Sequence, residues 1–214
     1  MKIAVIGSGH IGSTVGRLWA SAGHEVFFGV RHPGELAPRL RVQGLTAQVG
    51  TVEEAAAFGE VVFVAVPYGC WPELADALGP LVSGKVVMDA GNPYPQRDGA
   101  FAQQAIDGGA GAGVPVARLI PGARLVRAFN SVFWRTLESE ARRPAPRVGV
   151  PLAGDDEAAL AVASRLVTDA GFDPVVVGPL VRARDFDPGT RVYNTGMTAA
   201  QLRAALPGSP GSTP

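Results

Sequence analysis

The run KIAVIGSGHIGSTVGRLWASAGHEVFFG, residues 2–29, constrains the fold more than any other stretch of the chain. A short apolar strand runs into Gly7, a helical segment follows from His10, and a second apolar run begins at Glu25. Strand, glycine turn, helix, strand is a βαβ unit, whose two strands are joined by a right-handed crossover. Gly7, Gly9 and Gly12 complete the pattern G-x-G-x-x-G inside it. Each has a task there. The first permits the tight turn, the second lets a pyrophosphate approach the backbone, and the third lets the helix pack closely on the sheet. The backbone of Ser8, His10 and Ile11 then offers unpaired N–H groups and a partial positive charge to phosphate.

Farther along, short apolar runs alternate with helical segments, the pattern of a parallel sheet covered on both faces. Strands are expected at Ile3–Ile6, Glu25–Gly29, Leu45–Val49, Val61–Val66, Lys85–Asp89 and Arg124–Phe129, with two more at Val148–Ala153 and Pro174–Val177. Helices are expected at His10–Ala22, Gly34–Val42, Thr51–Phe58 and Cys70–Leu78. Thr51 with Glu54 reads as a capping box. Asp155 and Asp156 start a further helix that runs to Ala170. The Gly-, Ala-, Pro- and Gln-rich stretch Gly91–Gly113 reads as a long mobile surface loop with one helical turn. The expected architecture is α/β: a doubly wound, mainly parallel Rossmann sheet with a short C-terminal α/β extension. Residues 1–130 would form the dinucleotide-binding domain, 131–206 the extension, and 207–214 a flexible tail.

Composition narrows the chemistry. Nineteen basic residues balance nineteen acidic ones, so no general attraction to nucleic acid or an anionic membrane is expected. Lys2 and Lys85 are the only lysines, which leaves almost no candidate for a catalytic lysine. A single cysteine, Cys70, makes neither an internal disulfide nor a zinc site by itself, and a reducing cytosol fits. No apolar stretch approaches the roughly 20 residues that cross a bilayer. The expectation is a cytoplasmic protein without a metal centre.

The end of the second strand distinguishes between dinucleotides. An NAD site usually places Asp or Glu there, accepting from the adenosine ribose 2′-OH. Here the strand ends Gly29-Val30-Arg31-His32-Pro33, and no acid follows until Glu35. Arg31 can pair bidentately with a 2′-phosphate and His32 can add a donor, so the cofactor is read as NADP(H).

Taken in order, IGSGHIG, GVRHP, VFVAVPY, VVMDAGNPY, LVRAFNSV and VPLAGDDEAA…GFDPVVVGPLVRAR resemble the NADPH:F420 oxidoreductase family. That family includes the cytosolic oxidoreductase domain of the STEAP metalloreductases. The resemblance runs from Met1 to about Ala183–Met197. It implies that Ser8 joins Arg31 and His32 at the 2′-phosphate. It implies that Val66 and Pro67 run under the nicotinamide-side ribose, and that Ala90 and Asn92 border the nicotinamide. Asn130 falls where F420-reducing members usually carry His, facing the hydride-accepting ring. The asparagine form looks more like the STEAP-type relatives. The implied activity is hydride transfer between NADP(H) and a flavin or deazaflavin, with F420, FMN or FAD as second substrate and a homodimer as the assembly.

Such ring-to-ring transfer depends on stacking geometry and exclusion of water more than on acid–base groups. No Ser/His/Asp arrangement or metal-ligand cluster stands out. Asp89 is compatible with an acid near the nicotinamide and with a strand-end hydrogen bond. Trp71, Phe133 and Trp134 are compatible with a flat-ring pocket and with core or dimer packing, and His24 reads as an exposed turn residue. Reduction of a small carbonyl, imine or quinone, and a non-catalytic NADP sensor, are the rival functions.

Overall fold

Strand β1 (Lys2–Ile6) carries four consecutive buried residues, Ile3 to Ile6, and so needs cover on both faces. The same holds for β4 (Val61–Val64), β5 (Val86–Asp89) and β7 (Gly149–Gly154), each buried throughout. With β2 (Glu25–Gly29), β3 (Gln48–Gly50), β6 (Arg124–Arg127) and β8 (Asp173–Gly178), they form one eight-stranded sheet of order β3-β2-β1-β4-β5-β6-β7-β8. The computed structural model describes residues 1–35, 47–206 and 208. All strand pairs are parallel except β6–β7, where Val126 faces Gly154 and Arg127 faces Ala153. The expected doubly wound, mainly parallel α/β sheet is therefore present, and β7 and β8 continue it rather than starting another. The order reverses direction between β1 and β4, which opens a crevice at the carboxyl ends of those strands.

Helices cover both faces. On one side lie α1 (His10–Ser21), α6 (Trp134–Glu140) and α7 (Glu157–Asp169), with Trp19, Leu137 and Leu166 packed on Phe28, Phe63 and Phe129. Trp19 Nε1 donates to the Leu166 carbonyl at 2.8 Å, joining α1 to α7 across 147 residues of sequence. On the other side lie α2 (Val52–Phe58), α3 (Trp71–Val82), α4 (Pro95–Asp107) and α5 (Gly113–Leu119), burying Ala55, Trp71, Leu78, Ala102 and Val116. The last helix, α8 (Ala199–Ala205), buries Leu202 against Val175, Val177 and Phe186. The Thr51 cap is formed as expected: Glu54 N–H donates to Thr51 Oγ1 at 3.2 Å, and Thr51 N–H donates to the Glu54 carboxylate at 2.8 Å. Asp156 caps α7 by accepting from Ala159 N–H at 2.7 Å.

Several expectations need correction. Residues 91–113 are not a long mobile loop, since α4 occupies most of the stretch. Its buried face consists of Ala102 and Ala105, with Phe101 stacked 5.1 Å from Tyr68, too small an apolar stripe to stand out among the glycines. Gly99, at φ 68°, bends the helix near its start. β6 stops at Arg127 rather than Phe129, because Phe129 is left-handed (φ 62°) and turns the chain away from the sheet. β4 likewise ends before Ala65, and α3 begins at Trp71 and runs on to Val82. His24 is not exposed: its side chain is 7% accessible, and its ring bonds to Asp169 at 3.0 Å. Beyond Glu35, the expected helix Gly34–Val42 lies outside the described residues, as does the 207–214 tail except Gly208.

Candidate functional site

The phosphate loop has the form its glycines require. Gly7 is left-handed (φ 98°), and a Cβ there would stand 2.6 Å from the Ala65 carbonyl oxygen. A Cβ on Gly12 would stand 2.1 Å from the Gly7 carbonyl oxygen, so α1 can begin beneath the loop only with glycine at that position. Around Gly9 the same test meets nothing within 4 Å, which leaves that side of the loop open. No side chain caps α1 and no acid stands in its first turn, so its leading N–H groups keep their positive end free for an anion.

Beside this loop lies a cavity of about 610 Å³, lined by Gly7, Ser8, Gly9, Arg31, His32, Val66 and Pro67. Arg31 and His32 are exposed at its rim, where β2 ends, and Arg31 makes no ion pair among the described residues. Cys70, which follows Pro67-Tyr68-Gly69 at a strand's carboxyl end, also lines it, as do Glu35, Glu53 and Glu73, which the sequence did not single out as site residues. The nucleotide fits this donor set: backbone amides at the loop, and a guanidinium where a 2′-phosphate would need one. His10, Ile11, Gly12, Ala90, Asn92 and Asn130 do not line this cavity. Gly12 is buried under the loop, and the His10 ring stacks on Trp134, centroids 4.2 Å apart and 13° from parallel.

Ala90, Asn92 and Asn130 instead gather on the far side of the loop, past the ends of β5 and β6. There the chain buries a polar cluster. Arg127 is wholly buried and donates through Nη1 to the Asp89 carboxylate and to the Gly91 carbonyl at 2.6 Å. Its Nη2 donates to Asp187 Oδ1 at 2.9 Å and to Asn92 Oδ1 at 3.4 Å. Asp89 also accepts from Trp71 Nε1 at 3.1 Å and from Gly91 N–H at 2.9 Å. Trp71 is therefore a buried packing residue, and Asp89 a strand-end hydrogen-bond hub. Burial pushes the Asp89 carboxyl up against the pull of Arg127. Burial would lower Arg127, but its two carboxylate partners raise it further above its ordinary value, so it stays charged.

Asn130 is 4% exposed, and its amide donates to Asp187 at 3.2 Å and to Asn92 at 3.3 Å. Asn92 Nδ2 in turn donates to the Asn130 carbonyl at 2.7 Å and to the Tyr193 hydroxyl at 3.2 Å. Tyr193 is paired with Tyr94, and burial together with that hydroxyl pushes its pKa up. Arg127, Asp187, Tyr94 and Tyr193 were not singled out from the sequence. Arg127 carried a readable signal, a charge inside the otherwise apolar LVRAF run. Asp187 and Tyr193 carried none, since only the fold brings them to the ends of β5 and β6.

A doubly wound sheet with an uncapped glycine loop, and an arginine in place of the second-strand acid, defines an NADP-dependent oxidoreductase. Residues 2–93 match the family described as NADP oxidoreductase, coenzyme F420-dependent, the family that the sequence motifs resemble. Among solved structures, a hypothetical protein from Sinorhizobium meliloti superposes with a TM-score of 0.79 at 24% identity, covering 92% of this chain and 95% of that one. A protein from an Arthrobacter species, provisionally assigned as an F420-dependent NADP reductase, gives 0.69 at 26% identity, covering 86% and 87%. An imine reductase from a Pseudomonas species gives 0.63 at 19% identity. It matches 94% of this chain over 60% of its own length, a likeness of fold. No helix among the described residues is long and apolar enough to cross a membrane.

Proposed function

We propose that this oxidoreductase moves hydride between NADP(H) and a flavin or deazaflavin acceptor. NADP(H) is the co-substrate that supplies or takes the hydride. The Gly7–Gly12 loop and the α1 N-terminus would hold its pyrophosphate, and Arg31 with His32 its 2′-phosphate. Val66 and Pro67 would carry the ribose beyond the loop, leaving the nicotinamide end to the ends of β5 and β6 near Ala90 and Asn92.

One observation carries the choice of acceptor. Both lysines lie across the sheet from the crevice: Lys2 opens β1, and Lys85 immediately precedes β5, donating to the Ala56 carbonyl at 2.8 Å. The acceptor end instead presents the amides of Asn92 and Asn130 and the phenols of Tyr94 and Tyr193. A hydroxyacid dehydrogenase relying on a lysine has no candidate there, whereas two stacked rings need placement and dryness from the protein. The near full-length match to the Arthrobacter protein supports the same reading.

The test follows loss of NADPH absorbance with F420, FMN, FAD, ferric chelate and a quinone, and with small carbonyls and imines as a second group. Turnover with a flavin or deazaflavin well above the second group is expected. Turnover confined to carbonyls or imines would replace this reading with the second one, for which the two phenols are the favouring observation. Tight NADPH binding without any turnover would make the chain a sensor.

A further inference from the structure

Two phenols meet beside Asn92, and the direction of their hydrogen bonds can be worked out. Arg127 can only donate, so its Nη2, 3.4 Å away, fixes the facing atom of Asn92 as Oδ1. The other amide atom, Nδ2, points at the Asn130 carbonyl at 2.7 Å, which can only accept. The second Nδ2 proton therefore goes to the Tyr193 hydroxyl at 3.2 Å, and Tyr193 accepts there while keeping its own proton. Tyr94 and Tyr193 share one proton between their hydroxyls. The Asn194 side chain also hydrogen-bonds to Tyr193 and favours its ionised form, as a donor to the hydroxyl does.

The pair also stands in the right place. Tyr94 is 36% exposed and Tyr193 is half-buried, so the chain of hydroxyls runs from solvent toward Asn92. The Tyr193 segment is tied to the turn after β6, because Asn194 N–H donates to the Ser131 carbonyl at 2.8 Å. Arg97 lies over the Tyr94 ring, 4.9 Å from its centroid, and donates to the Asn92 carbonyl at 3.0 Å. Both phenols are thus held by contacts other than their own hydrogen bond.

We propose that Tyr193 is the proton donor to the hydride acceptor and that Tyr94 resupplies it from solvent. The inference rests on the reading that the nicotinamide end of NADP(H) lies at Asn92. The substrate class is a conjugated ring or carbonyl whose electronegative atom becomes basic on reduction. The acceptor receives two electrons and a hydrogen as hydride from C4 of the reduced nicotinamide, whose C–H bond breaks to leave NADP+. The displaced electron pair moves onto the acceptor's ring nitrogen or carbonyl oxygen. That atom takes the proton as the Tyr193 O–H bond breaks, and water returns one through Tyr94.

The experiment compares the full chain with its Tyr193→Phe and Tyr94→Phe variants. NADPH affinity, read from NADPH fluorescence, and Tm are expected to stay close to wild type. Binding of oxidised flavin to the NADP+ complex, read from flavin quenching, is expected to weaken severalfold in Tyr193→Phe. Its kcat is expected to fall about 100-fold, the lower end of the range for a positioned general acid, with a smaller fall for Tyr94→Phe. Protonated imidazole should raise the rate of Tyr193→Phe and not that of the wild type, a response a purely structural tyrosine would not give.

Unchanged flavin turnover in both variants would overturn the donor and leave the acceptor reading standing. A parallel loss of NADPH affinity and Tm would also overturn it, by making the pair a structural clamp. Turnover with carbonyls or imines alone, lost in Tyr193→Phe, would uphold the donor and overturn the flavin reading. No turnover with any acceptor would overturn both.

Discussion

Arg127 is a charge with no access to water, and what surrounds it explains why the fold tolerates it. Asp89 and Asp187 neutralise it, and the Gly91 carbonyl and Asn92 amide occupy further donors. Removing one member of such a set strands the others. Arg127→Met should therefore cost about 3–5 kcal/mol in denaturant unfolding, the usual cost of breaking a buried ion pair. At Arg31 the logic is reversed, because that guanidinium is exposed, and we propose that it pairs with the 2′-phosphate. Arg31→Ala should leave stability within about 0.5 kcal/mol, as surface substitutions do. It should weaken NADPH by roughly tenfold or more, since a hydrogen bond to a charged group contributes about 1.5–3 kcal/mol, while NADH binding changes little. Fluorescence titration with both dinucleotides measures this, and equal losses would remove the 2′-phosphate assignment.

At the scale of elements, helix ends carry much of the specification. The reciprocal Thr51–Glu54 bonds start α2 directly after β3, beside the nucleotide cavity. Thr51→Ala should cost about 1 kcal/mol of stability, the typical value of a lost cap, read as a lower unfolding midpoint. α4 depends on Asp98, which accepts from Tyr94 N–H at 3.0 Å and pairs with Arg97 at 2.7 Å. Burial alone would raise its pKa, yet these partners hold it below the ordinary value of about 4. A depressed carboxylate stabilises the fold above its unfolded pKa, and that contribution is lost as pH falls through the folded value. Unfolding measured from pH about 5 down to about 2 should therefore show a shallower acid decline in Asp98→Asn than in wild type.

Across the whole molecule, two tethers shape the site. Trp19 fastens α1, and with it the phosphate loop, to α7 on the far end of the sheet. Phe129 turns the chain out of β6 while its ring packs edge-on to Trp19, Phe63 and Phe172. Its left-handed backbone is a strained state for a bulky residue, and this aromatic packing holds it there. Phe129→Ala should cost about 3–5 kcal/mol, as for other buried aromatic truncations.

The sequence by itself determined the βαβ unit, the glycine loop, most of the strands and the cation at the end of β2, on which the proposed NADP(H) site rests. Those features rest on local rules: sterics at glycine, apolar runs of strand length, and a cation placed at the end of β2. The helix α4 escaped that reading because alanine and one phenylalanine make too weak a stripe to see among glycines. Tertiary structure alone decided the polar cluster at the ends of β5 and β6, where we propose the acceptor binds. Arg127 meets Asp187 across 60 residues, and Asn92 meets Tyr193 across 101. Pairing over such separations follows from strand order and loop path, which no local pattern of residue types encodes.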